Sequence, residues 1–103
     1  MLKYEKEGKV AVLYSPGFGA GWSTWMSNDE KAIFCPRLAE ALDKNTPYTD
    51  LLQIAKEEFP NEYLGGLEDL EIRWIPKGIY FEITEYDGNE KVWVFGDIAG
   101  FVA

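Results

Sequence analysis

The residues best suited to chemistry lie in one stretch, Ser15-Pro16-Gly17-Phe18-Gly19-Ala20-Gly21-Trp22-Ser23-Thr24-Trp25. Gly17, Gly19 and Gly21 let the backbone take positive φ and come close to a ligand. Successive N–H groups in such a turn can cradle an anion without any positive side chain. Phe18, Trp22 and Trp25 offer ring faces on which a nucleobase could stack, an interaction of about 1–3 kcal/mol per base in single-strand binders. Ser15, Ser23 and Thr24 add hydroxyl groups. The spacing is not a dinucleotide fingerprint, because Trp22 stands where the third glycine would fall, and no Gly-Lys-Ser/Thr follows to make a Walker A loop. Spacing alone leaves a plainer role open, in which the aromatics cap the core and the glycines make tight turns.

Arg73 is a second candidate, since its planar fork suits phosphate or carboxylate. Strand alternation puts it on the face opposite Trp74, and a surface ion pair is its competing role. Tyr86 belongs to the turn Tyr86-Asp87-Gly88-Asn89. Composition narrows what these groups can do. The 103 residues include no histidine, and Cys35 is the sole cysteine. That excludes a Ser-His-Asp triad, a Cys-His pair, a histidine-bearing zinc site and an intrachain disulfide. Acid–base work would fall to Asp, Glu, Lys or Tyr, whose ordinary pKa values lie far from neutrality. Composition leaves catalysis open but less expected than usual, and neither a metal nor a cofactor is expected. Acids at Glu57-Glu58, Glu68-Asp69-Glu71 and Glu82-Glu85 read as solvated faces. Eighteen acids against ten Lys and Arg give a formal net charge of -8, which disfavours a nucleic-acid polymer as partner.

The elements that must position these residues follow from pattern. Lys9–Tyr14 reads as a mostly buried strand leading into the glycine-rich loop. Ser27 and Glu30 form a capping box. Pro36 opens a second helical piece over 37–44, which Asn45 ends. Thr46 caps a third helix with Pro47 at its first position, and Tyr48, Leu51, Leu52, Ala55 and Phe59 make its core stripe. Leu70, Ile72 and Trp74 alternate with Glu71 and Arg73, as in a half-buried strand. Segments 79–85 and 90–95 flank the Asp-Gly turn as a hairpin, and 97–103 add a short edge strand. A two-residue loop would set Glu85 opposite Glu90, whereas a three-residue loop pairs Glu85 with Lys91. Charge pairing favours the second. The expected fold is α+β in a single domain over 1–103: an N-terminal strand, the glycine-rich loop, two to three helices, then mostly antiparallel C-terminal strands with a β-hairpin. The apolar runs are too short to span a membrane, and the charged start lacks a signal peptide's apolar stretch, so the expected location is cytoplasmic.

The loop resembles that of a group of small phage and prophage proteins, which share a strand running into Gly-aromatic-Gly-Ala-Gly-Trp-x-Thr-Trp. Glu85-Tyr86-Asp87-Gly88 and the segment Tyr63-Leu64-Gly65-Gly66-Leu67-Glu68-Asp69-Leu70-Glu71-Ile72 extend the likeness over most of the chain. The group is similar to the anti-CBASS sponge proteins, through which phages sequester cyclic nucleotide immune signals. The resemblance implies a homo-oligomer in the host bacterial cytoplasm that binds a cyclic dinucleotide or related signal without cleaving it. It places the ligand at the loop, Ser15 and Gly17 to Trp25 with Ala20 included, with Phe18, Trp22 and Trp25 stacking, Arg73 recognising charge and Tyr86 making edge contacts. An acidic phage inhibitor that binds a host protein, as a nucleic-acid mimic, is the alternative that the net charge motivates.

Overall fold

The computed structural model describes residues 2–26, 29–95 and 100–103, and these form an α+β fold of two antiparallel sheets with three α-helices. Strand β2 (Lys9–Tyr14) is the centre of the first sheet. Its residues Val10, Ala11, Val12 and Leu13 are all buried, because both faces of the strand are covered. Strand β1 (Glu5–Lys6) folds back onto it through Glu7 and Gly8, both at positive φ. Two exposed charged residues carry no alternation, so the sequence shows only a polar lead-in there. On the other side β3 (Glu71–Pro76) pairs with β2, setting Val12 opposite Arg73 and Ala11 opposite Trp74. Ala11, Leu13, Ile72 and Trp74 therefore share the face that packs on the helices. Val10, Val12 and Ile75 share the other, against the second sheet.

Helix α1 (Glu30–Phe34) is capped by Asp29, whose carboxylate accepts from the Lys31 N–H at 2.9 Å. Ser27, expected as the cap, lies outside the described residues. Helix α2 (Pro36–Asp43) has Pro36 at its start and is followed by Asn45 in the left-handed region. Helix α3 (Tyr48–Glu58) begins one residue later than expected. Pro47 is extended at ψ 149 and takes the cap position itself, its carbonyl accepting from the Asp50 and Leu51 N–H groups. Leu51, Ala55 and Phe59 of the stripe are buried, while Tyr48 at the first turn stays exposed. Cys35 is buried in the core, where burial pushes its thiol pKa up.

The second sheet has the order β5-β4-β6, with β4 (Tyr80–Tyr86), β5 (Asn89–Phe95) and β6 (Phe101–Val102). Of the expected tail strand, only residues 101–102 are strand; 97–99 lie outside the described residues. The hairpin takes the two-residue register, pairing Glu85 with Glu90 and Ile83 with Val92. This corrects the expectation from charge pairing. Neither carboxylate is left to repel the other bare, because each is held by N–H donors. Among the described residues no helix is long and apolar enough to cross a membrane.

Candidate functional site

The glycine-rich loop is wound around one buried carboxylate. Alternation along β5 turns Glu90 and Val92 inward, and Glu90 reaches the loop that follows β2. Its Oε1 accepts from the Ser15 N–H at 2.9 Å. Its Oε2 accepts from the Trp22 N–H at 2.7 Å, the Thr24 N–H at 3.0 Å and the Thr24 hydroxyl. The Glu90 N–H donates back to the Ser15 carbonyl at 2.8 Å. The hairpin tip grips the same loop: the Gly19 N–H donates to the Asp87 carbonyl at 2.8 Å. Gly88, at φ +85, lies so close to the Ala20 backbone that a side chain there would collide with it. The loop does form an anion-holding nest, and the anion is the protein's own. The Ser15, Trp22 and Thr24 amides are therefore engaged by Glu90 rather than open to a ligand phosphate.

The aromatics divide. Trp22 is fully buried, its indole N–H donates to the Ala32 carbonyl at 2.7 Å, and its ring meets Phe59 edge-on. It is core, with no face left for stacking. Trp25 is partly exposed, stacks on Tyr63 at 5.9 Å between centroids, and points its indole N–H at Glu85. Phe18 is exposed. Ser15 and Ser23 are buried; the Ser15 hydroxyl reaches the Ala20 carbonyl, and the Ser23 hydroxyl has no partner among the described residues. Gly17 lies against the Asp69 side chain and Gly21 beneath Thr24 and Trp25. Tyr86 is exposed on the opposite face of the hairpin from Glu85. The structure thus brings Ser15, Trp22 and Thr24 together around Glu90, and leaves Tyr86 and Arg73 elsewhere.

Arg73 instead lines a groove of about 340 Å³ where the two sheets part. Tyr14 and Pro16 bound it as β2 runs out, Arg73 reaches it from β3, and residues 89–93 of β5 form the far wall. Two cations, Arg73 and Lys91, thus share this groove with two rings, Tyr14 and Trp93. The ion pairs among the described residues use Lys6, Arg37, Lys44 and Lys77, and neither Arg73 nor Lys91. Trp93 is held in place, its indole N–H donating to the Thr84 hydroxyl at 2.7 Å. Burial, reinforced by Glu71, raises the Tyr14 pKa, so its phenol remains a neutral donor at physiological pH. Tyr14, Lys91 and Trp93 were not singled out from sequence. Trp93 alternating outward beside Lys91 in a predicted strand was the available signal. No family model, curated protein or solved structure matches this chain.

Proposed function

We propose that the protein captures a nucleotide signal of the cyclic dinucleotide class, or a close relative, and holds it intact as a phage counter-defence device in the host cytoplasm. One observation carries this reading: Arg73 and Lys91 line the same groove as Tyr14 and Trp93, in a chain whose net charge is -8. In this reading the Arg73 fork takes a phosphate, Lys91 adds a second positive charge, and a base lies against the Trp93 ring. A volume near 340 Å³ sits at the small end of ligand pockets, which run about 300–1,000 Å³. Hydrolysis is disfavoured by chemistry already described. There is no histidine, Tyr14 stays protonated, and the Glu90 lone pairs are taken up by four donors.

Calorimetric titration with cyclic dinucleotides and cyclic ADP-ribose isomers tests the reading, followed by recovery of the ligand after denaturation. Binding with intact ligand recovered is expected. No heat at micromolar ligand overturns the reading, and recovery of a cleaved product makes the protein an enzyme.

A further inference from the structure

We propose that the groove selects adenine among the bases, reading its edge with the main chain of Glu90 and Val92. This inference rests on the nucleotide reading and names the base that the site takes. The sheet order β5-β4-β6 leaves β5 paired on one side only. Residues 89–93, consecutive along β5, all line the groove. A sheet face presents every second residue, so the groove runs along the free edge of the strand, where main-chain groups are open.

The register fixes which groups face it. Tyr86 and Asn89 close the two-residue turn as a hydrogen-bonded pair, and such pairs alternate along an antiparallel ladder. Residues 89, 91 and 93 therefore turn their N–H and C=O groups to β4, and residues 90 and 92 turn theirs outward. The Glu90 N–H, donating to the Ser15 carbonyl at 2.8 Å, fixes the same parity independently. Next along the edge come the Glu90 carbonyl, the Val92 N–H and the Val92 carbonyl. None of the three has a hydrogen-bond partner among the described residues. Val94, the following outward residue, lies beyond the groove lining. The groove thus offers one open ladder place, which suits a single planar group rather than an added strand.

That place presents an acceptor, a donor and an acceptor in order. Adenine's Watson–Crick edge complements all three, with its amino group, its N1 and its weakly donating C2–H. Uracil, set the same way, opposes all three. Cytosine matches two and turns a carbonyl oxygen toward the Val92 carbonyl. Guanine sets O6 against a carbonyl and its ring N–H against the Val92 N–H. Shifted by one place, guanine recovers two bonds, but its 2-amino group finds no free carboxylate. The carboxylate in the groove lining, Glu90, is engaged by the loop amides.

Calorimetric titration with cyclic di-AMP, cyclic di-GMP and cyclic di-IMP tests the assignment. Hypoxanthine, the base of the third, has adenine's shape with donor and acceptor exchanged. Cyclic di-AMP should bind about tenfold or more tighter than either, the scale of one bidentate base contact. Val92→Pro removes the outward N–H and no bond to β4, a place where an edge strand tolerates proline. It should lose most of the preference for adenine and still bind through Arg73 and Lys91. Val94→Pro makes the same change beyond the groove and should keep the wild-type preference. The wild-type series decides by itself if Val92→Pro does not fold. Equal affinity for the three ligands, or an unchanged preference in Val92→Pro, overturns the adenine assignment and leaves the nucleotide reading standing. No heat with any of the three also overturns the assignment; if the cyclic ADP-ribose isomers are silent too, the nucleotide reading falls with it.

Discussion

Glu90→Gln is the sharpest probe of the loop, because it keeps the side chain's shape and removes one acceptor and the charge. The carboxylate takes one donor on Oε1 and three on Oε2. With the amide oxygen at the crowded position, Trp22 and Thr24 keep their bonds, while the new NH2 group faces the Ser15 N–H donor to donor. One buried donor left unpaired costs about 1–3 kcal/mol, and losing the charge removes roughly half the strength of each remaining bond. The sum is at least about 3 kcal/mol, set against a total stability of about 5–15 kcal/mol for a typical domain. The variant should fold, with a melting temperature lower by more than about 10 °C, given roughly 4–8 °C per kcal/mol at this size. Urea unfolding gives the free energy, and amide exchange at Ser15, Trp22 and Thr24 reports where it was lost. A change under about 0.5 kcal/mol, with those amides still protected, would refute the claim that Glu90 organises the loop.

Gly88→Ala should destabilise by more than Gly78→Ala in thermal unfolding, since both glycines have positive φ but only Gly88 abuts the Ala20 backbone. Hydrogen bonds from Lys6 and Tyr4 hold the Asp43 carboxyl below its ordinary value, so its contribution is present above the unfolded pKa of about 4 and is lost as pH falls through the lower folded value. Asp43→Asn should therefore flatten the acid limb of the stability–pH curve below about pH 4, measured by urea midpoints. Ser23→Ala removes a buried hydroxyl with no partner among the described residues and should be neutral or stabilising by up to about 1 kcal/mol in the same assay.

Much of the scaffold was legible because its signals are local. Alternation marked β3, the Asp-Gly turn marked the hairpin, and Pro36 marked the start of α2. The register was not legible, because the rule against facing like charges weighs Glu85 only against Glu90. The loop amides that satisfy Glu90 lie 66 to 75 residues away in sequence. An acid in alternation with the inward Val92 was the clue. The glycine spacing points to loop amides, yet sequence cannot say that those of Ser15, Trp22 and Thr24 hold an internal anion. Trp22 likewise looked like a stacking platform until Ala32 and Phe59 were seen to enclose it. The groove has no linear signature, since Tyr14, Arg73 and Lys91 come from three strands.

The central claim is that the groove holding Arg73 and Lys91 binds an anionic nucleotide. Titration of wild type and Arg73→Ala with the same cyclic nucleotide tests it most directly. Loss of a charge-assisted phosphate contact of about 1.5–3 kcal/mol should weaken binding roughly 10- to 150-fold. The melting temperature should stay put, because Arg73 is exposed and makes no ion pair among the described residues. Equal affinity in the two proteins would contradict the assignment of the groove.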